Sequence, residues 1–461
     1  MTEEQSSEKK EKEKKLPKRY VPCVVIGGTV YESVIFQLRS VFLSWDGKEF
    51  FRYQSIPFGD EELMPLKVEM CPYRPYILTM ENFETIKTWN PTCQQIYDKV
   101  YKEFDTFLDL EKEFKSLNTA FTLETYEQHK VESTGYLIPY GDKDSGKTRC
   151  LEIHNLLDYR PLFSPALPSA DVFNYIGYHT EGTGTILEDE AHELNRKDDR
   201  EKLKIYRSGY RKGAVCPRIV DPSSKERTQR FYKTFCCKMF AGYYPPPDRG
   251  LTDRGIPIPM VWGIPEKDKI TKEDRKRMDI IKMGLLVWRM RHYFDSLPEI
   301  NIQLSGRTRE LWESKIQVTH GLEHEKYLKA LALRNVREKV KERAESLEGY
   351  ITRALFKISA QTEVELEFTA IWVTLLDELG IPLEEHDKDV VECPALGYKV
   401  SKKAVGHRLG SVFGGEAFFR HKQGRTWKFK KWKLERLAKK FYIYDLDVLY
   451  GEGEIEEENL V

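Results

Sequence analysis

Residues 135–148 read Gly-Tyr-Leu-Ile-Pro-Tyr-Gly-Asp-Lys-Asp-Ser-Gly-Lys-Thr, and they hold the chain's best-spaced chemistry. The second half runs Gly141, Asp142, Lys143, Asp144, Ser145, Gly146, Lys147, Thr148, with Arg149 next. In a loop bounded by glycines, backbone N–H groups can turn toward phosphate oxygens, and the N-terminus of a following helix adds its dipole. Lys147 would reach the β- and γ-phosphates of ATP as a point charge, and the Thr148 hydroxyl would ligate Mg²⁺. An ordinary glycine-rich turn is the bland alternative.

Thr185-Ile186-Leu187-Glu188-Asp189-Glu190 is the second chemical element. An apolar run delivers two acids at its end. Asp189 suits Mg²⁺, and Glu190 suits orienting and deprotonating an attacking water. Strands commonly end in acids, so this pair gains its meaning from the loop upstream. Glu188 is an acid where an apolar residue is usual, which suggests an interface position. Asp189-Glu190-Ala191-His192 also spells the DEAH box of a different helicase superfamily, whose later motifs are absent.

Cationic residues supply two further candidates. Arg211, Lys212, Arg218, Lys225, Arg227, Arg230 and Lys233 surround the turn signal at 221–227, between two β-leaning arms at 205–220 and 228–239. They suit either a solvated hairpin or a loop gripping DNA phosphates without reading sequence. Arg254, and after it Arg249, precede the apolar strand Ile256-Pro257-Ile258. An arginine so placed can enter a neighbouring subunit's site and neutralise transition-state charge. The alternative is a local salt bridge with Asp248 or Asp253.

These residues need elements to hold them. Tyr136-Leu137-Ile138 reads as a buried strand and 149–157 as a helix, so strand, loop and helix follow in the required order. Upstream, Ile96, Val100, Phe104, Phe107, Leu108, Leu110, Phe114 and Leu117 recur at helical intervals, predicting two or three helices across 82–129. Residues 20–78 are β-branched and aromatic with glycine turns, predicting short antiparallel strands.

The ordered series 141–148, 186–190, Gly209-Tyr210-Arg211-Lys212-Gly213-Ala214, Phe240-Ala241-Gly242 and 251–258 resembles the AAA+ ATPases of archaea, plasmids and viruses, which are replication-associated and helicase-type. The likeness spans 82–321. It implies a ring, often of six subunits, with ATP and Mg²⁺ at subunit interfaces. It also implies a lid arginine on 305–312, Arg307 or Arg309, touching phosphate in cis. One departure stands out: the strand expected to offer a polar sensor ends in Ala241-Gly242-Tyr243, leaving that role to Tyr243 or to nothing.

Residues 272–292 and 327–355 are helical by period. Further on, 368–445 reads as helix, helix, hairpin, helix, which resembles a winged helix. Ser401, Lys402, Lys403, His407 and Arg408 would lie on its recognition helix, with Arg420, Lys422, Arg425 and Lys428 on its wing. The alternative is a winged helix used for protein contacts.

The expected fold is thus an α/β P-loop (ASCE/AAA+) core with a parallel sheet, a helical lid, a small N-terminal β-rich region and a C-terminal winged helix. The expected divisions are a charged tail at 1–18, a β-rich domain at 19–80, the ATPase core with its helices at 81–264, lid and connecting helices at 265–360, the winged helix at 361–446 and an acidic tail at 447–461.

Composition limits the alternatives. In 461 residues, Lys+Arg and Asp+Glu both number 74, so nucleic-acid binding must come from local patches. No window approaches the ~18–20 apolar residues of a membrane span. The eight cysteines show no zinc spacing and read as reduced thiols of a cytoplasmic protein. The expected function is an oligomeric ATP-driven motor that moves along or remodels DNA. A nucleotide-dependent DNA-binding regulator without unwinding activity is the alternative.

Overall fold

The computed structural model describes residues 16–165, 167–177, 184–194, 199–219, 229–304, 306–359, 365–420 and 424–441. The acidic tail, Lys225, Arg227, Lys422 and most of the N-terminal tail lie outside the described residues. The chain divides into two units, residues 1–332 and 333–461.

In the first unit, strands Cys23–Ile26, Thr29–Phe36, Arg39–Trp45 and Phe50–Tyr53 form an antiparallel sheet in chain order, with Ile77–Leu78 added parallel to Thr29–Phe36. A small sheet orders Lys18–Val21, Glu61–Pro65 and Ile56–Phe58. Three helices follow: Met80–Thr88, Cys93–Phe107 and Lys112–Glu127. Thr92 and Gln95 close a capping box at the start of the second, which fixes where it begins.

The β region is tied into the same unit by a buried charge cluster. Glu32 of strand Thr29–Phe36 is fully buried. It accepts from Tyr159 Oη at 2.8 Å, from Arg289 Nε at 3.1 Å and from Arg160. Tyr159 and Arg160 follow the helix Lys147–Leu157, while Arg289 lies on the helix Lys272–Arg291. Arg289 also donates to His129 Nδ1 at 2.6 Å, and His129 Nε2 donates to the Tyr293 carbonyl at 3.0 Å. Burial and the neighbouring guanidinium push the His129 pKa down to about 2, so the ring stays neutral and can accept.

The centre of the unit is a five-stranded sheet in the order Pro161–Ser164, Thr185–Glu188, Cys237–Phe240, Tyr136–Tyr140, Gly255–Pro259, parallel throughout. One strand, Cys237–Phe240, therefore separates the loop-bearing strand from the acid-bearing one. Parallel strands are buried on both faces, which explains the near-continuous apolar run of Tyr136-Leu137-Ile138.

Residues expected to form a lid pack into the body of the unit. Helix Lys272–Arg291 lies against Cys93–Phe107, Lys112–Glu127 and Lys147–Leu157. Helix Gly306–Val318 lies on Lys112–Glu127, where Lys315 Nζ meets Glu124 Oε2 at 2.8 Å with both side chains fully buried. Gly135 permits this approach, because a Cβ there would stand 2.5 Å from the Leu311 carbonyl oxygen.

The second unit has its own core around Trp372, Ile371, Leu409 and Trp427. Helix Leu347–Ser359, strand Glu365–Glu367, helix Phe368–Glu378, a hairpin of Val390–Cys393 and Tyr398–Ser401, helix Lys402–Ser411, strands Glu416–Arg420 and Gly424–Lys428, and helix Lys431–Lys440 follow in order. Glu365–Glu367 pairs with Gly424–Lys428, which pairs with Glu416–Arg420, both antiparallel. The hairpin at 390–401 and the use of 347–359 as this unit's first helix were not expected from sequence. The sequence pattern places that stretch among the lid and connecting helices of 265–360.

Candidate functional site

The loop 141–146 joins strand Tyr136–Tyr140 to helix Lys147–Leu157 at the carboxyl end of the sheet. Gly141 (φ +156°) and Gly146 (φ +89°) supply the backbone bends. A Cβ at Gly141 would stand 2.0 Å from the Met260 carbonyl oxygen, so only glycine fits. Lys147 Nζ folds back over the loop, donating to the carbonyls of Gly141 at 2.8 Å and Asp142 at 2.6 Å, and to Ser145 Oγ at 3.2 Å. Asp144 holds a left-handed conformation (φ +63°).

Strand Thr185–Glu188 delivers Asp189 and Glu190 to the same end. Asp189 N donates to the Ser164 carbonyl, and Ala191 N to that of Ala241 at 2.7 Å, which fastens the segment on both sides. Between those anchors Glu190 is left-handed (φ +54°), and its N–H donates to Asp189 Oδ1 at 2.9 Å. Such a conformation in a non-glycine residue costs on the order of 1–3 kcal/mol and points to a functional position.

A cleft of about 640 Å³ joins these groups. Lys143, Asp144, Ser145, Gly146, Lys147, Thr148, Arg149, Asp189, Glu190 and Tyr243 line it. The Tyr243 ring centroid is 5.1 Å from Lys147 Nζ, so the tyrosine stands where the sensor was sought. His192 packs edge-on to it at 5.4 Å. Arg149 donates to Glu152 Oε2 at 2.8 Å and to the Asp268 carbonyl at 2.7 Å, so its guanidinium is already held at the cleft wall.

Sequence reasoning missed the opposite wall: Phe107, Leu108, Asp109, Met260, Val261, Gly263, Pro265 and Asp268. Gly263 was the available signal, since a Cβ there would stand 2.6 Å from Asp109 Oδ2. Val261, Trp262 and Ile264 nearby are each at least 70% exposed.

Glu188 does not face an interface. It is buried, accepting from Lys202 Nζ at 2.7 Å and Tyr206 Oη at 2.5 Å, and burial pushes its carboxyl above the usual range.

Arg254 and Arg307 stand at the other end of the sheet. The Arg254 carbonyl accepts from Tyr136 N at 3.0 Å, at the first residue of the loop-bearing strand. The Arg254 guanidinium donates to the Gly250 carbonyl and lies 4.9 Å from the Tyr210 ring centroid. Arg307 lies over the same ring at 4.8 Å and reaches Glu310 at 3.4 Å. Arg307 does not line the cleft, and Arg309 pairs with Glu313 at 2.7 Å. Arg249 is exposed at the start of the short helix Arg249–Thr252. Asp248 instead accepts from Arg207 Nε at 2.8 Å.

The expected β-arm from 205 begins as helix, Arg200–Ser208, and the hairpin proper pairs Val215–Ile219 with Gln229–Lys233. Its turn lies outside the described residues. Arg211 and Lys212 sit at its base, paired with Glu310 at 3.4 Å and donating to the His129 carbonyl at 2.7 Å respectively. Lys212 is held against the core, while Arg211 stays exposed.

In the second unit, Ser401 caps helix Lys402–Ser411. Lys402 lies 3.7 Å from Asp389, Arg408 donates to Glu348 at 2.7 Å, and Lys428 lies 3.5 Å from Glu365. Those three are held by acids of their own unit, while Lys403, His407 and Arg425 are exposed. Arg420 lies on strand Glu416–Arg420.

Among the described residues no helix is long and apolar enough to cross a membrane, and no three His, Cys, Asp or Glu gather as a metal cluster. The eight cysteines are free thiols.

No family model matches the chain, and no curated protein matches it. Among solved structures it is similar to the apo NrS-1 C terminal region at 10% identity, covering 87% of this chain and 96% of that one, with a TM-score of 0.37. A mutant RuvB of Thermotoga maritima is similar at 13% identity, with coverage of 65% and 95% and a TM-score of 0.24. JCV helicase is similar at 13% identity, with coverage of 64% and 68% and a TM-score of 0.26. The likenesses are weak, and the parallel α/β core with a glycine loop stands on its own sheet order.

Proposed function

We propose that the chain is an ATP-hydrolysing AAA+ motor that acts on DNA as an oligomer, of the helicase type. One observation carries this reading: Lys147, Thr148, Asp189 and Glu190 converge in one cleft at the carboxyl end of a parallel sheet. Ligands of open α/β sheets bind in that place.

The donor set fits a nucleotide with its metal. Gly141 and Gly146 leave the loop's backbone open to a close approach, and Lys147 exchanges loop carbonyls for phosphate oxygens. Thr148 and Asp189 would hold Mg²⁺, which when bound neutralises charge on the phosphates. Glu190 orients the attacking water and takes its proton. Tyr243 offers a hydroxyl where an amide or a smaller hydroxyl was expected.

Neither Arg249 nor Arg254 lines the cleft of its own chain. A second copy must supply the arginine. Arg254 is engaged with Gly250 and Tyr210, whereas Arg249 is exposed, which reverses the order expected from sequence.

The second unit's helix, strand, helix, helix and two-stranded wing, with the first strand beside the last, support a winged helix. Its DNA contacts then rest first on Lys403 and Arg425.

ATP turnover with and without DNA is the test. Lys147→Ala and Glu190→Gln should each abolish it, and unchanged turnover in both would overturn the reading. A strand-displacement assay separates a motor from a regulator that binds DNA without unwinding. Mass measurement with an ATP analogue should show an oligomer.

A further inference from the structure

The N-terminal β region carries a second groove, of about 780 Å³, along the strand Phe50–Tyr53. That strand pairs with Arg39–Trp45 on one side only, so its other edge opens into the groove. Three cations line it, Arg39, Arg52 and Lys87, against one carboxylate, Glu49. Lys87 also donates to both Glu84 carboxylate oxygens at 2.8 Å, so the local cationic excess rests on Arg39 and Arg52. The Arg39 side chain is exposed and, among the described residues, makes no hydrogen bond or ion pair.

The cations are interleaved with rings. The Arg52 guanidinium lies 3.9 Å from the Phe36 centroid and 4.2 Å from that of Phe83. A guanidinium backed by aromatic rings is a flat platform of the kind on which unstacked bases lie. Gln37 and Gln54 add amides, each with a donor and an acceptor that can meet a base edge.

The backbone marks the same place independently. Phe36 pairs with Arg39, leaving Gln37 and Leu38 as a two-residue turn with φ of +46° and +66°. Such turns favour Asn and Gly. Here Leu38 stands 95% exposed at the groove's rim. The described non-glycine residues with positive φ are five, and two others, Asp144 and Glu190, lie in the cleft beneath the catalytic proposal.

We propose that this groove binds single-stranded nucleic acid, with phosphates on Arg39, and on Lys87 in exchange for its Glu84 partner, and bases against Arg52 and the Gln37–Leu38 turn. The groove is separate from the ATP cleft and does not depend on it. It gives the N-terminal region a role: holding the strand that the motor acts on.

The test uses the full chain, without nucleotide, and a fluorescein-labelled oligothymidine. Arg39→Glu with Lys87→Glu should weaken binding about tenfold at low salt and flatten its salt dependence. Arg39→Lys should keep most of the affinity, which separates lost charge from misfolding. Ultraviolet cross-linking should place adducts within residues 36–54. Unchanged affinity in the double variant, adducts confined to residues 333–441, or preference for an acidic peptide over oligothymidine would each overturn the proposal. Basal ATP turnover, measured on the same double variant, should match wild type. Its loss in Glu190→Gln alone would speak to the cleft and leave this site untouched.

Discussion

At the carboxyl end of the central sheet stand Lys147, Thr148, Asp189 and Glu190; at the amino end stand Arg254 and Arg307, both over Tyr210. One end gathers acids, a lysine and open backbone around a cleft. The other gathers cations around a ring. The loop-bearing strand, Tyr136–Tyr140, separates them by about 16 Å at the usual rise per residue. No side chain spans that distance, so the two ends of one chain cannot serve one phosphate group. On the proposed reading each end is half of a site, to be completed by a second copy.

The largest expected effect breaks the comparison directly. Arg249→Ala should lower ATP turnover by about 10³-fold or more, as loss of a trans arginine does. Glu190→Gln should lower it by about 10²–10⁴-fold. Mixing these two inactive proteins should restore part of the activity, because some interfaces then pair an intact cleft with an intact arginine. If the mixture stays inactive while each variant still assembles, the two ends do not complete each other.

Gly141→Ala is the next expected effect. The added carbon meets the Met260 carbonyl, so the loop must shift, and ATP affinity should fall by about tenfold or more in a nucleotide titration. Assembly should be unaffected, because the amino end is untouched.

A third prediction concerns the frame that holds both ends. Glu32→Ala leaves Arg160 and Arg289 buried without their carboxylate, and denaturant unfolding should show a loss of about 3–5 kcal/mol.

The smallest effect has a pH signature. Lys282 is buried and donates to the Arg74 carbonyl at 2.7 Å, and burial pushes its pKa down to about 7. Between pH 7 and the ordinary lysine value the unfolded chain holds a proton that the folded chain lacks, so stability from this group rises with pH. Lys282→Met should therefore raise the melting temperature by more at pH 6 than at pH 9. An equal gain at both would show that Lys282 does not titrate in that window.

Much of the cleft was legible in the sequence because its residues are local. Gly141 to Thr148 is one unbroken run from loop into helix, and Asp189-Glu190 ends one strand, so each group is visible from spacing alone. The wall at Phe107–Asp109 and 260–268 was not legible, since its parts lie far apart and carry no motif beyond Gly263. The packing of the segment behind the core was illegible for a related reason. Periodicity finds helix Lys272–Arg291 but not which neighbours bury its faces, and here they are the N-terminal helices. Glu188 looked like an interface residue because sequence shows an acid without its partners, Lys202 and Tyr206.

The sequence by itself determined the strand–loop–helix, the acid pair, the β-rich start and most elements of the last unit, because turns, caps and periodicity act over a few residues. Only the tertiary structure decided that Arg254 and Arg307 share a ring at the far end of the sheet, that Lys402, Arg408 and Lys428 are already paired, and that Glu32 ties the β region to the core. Those outcomes depend on which charges meet after the chain has closed on itself. Charge pairing over such separations in sequence is set by packing.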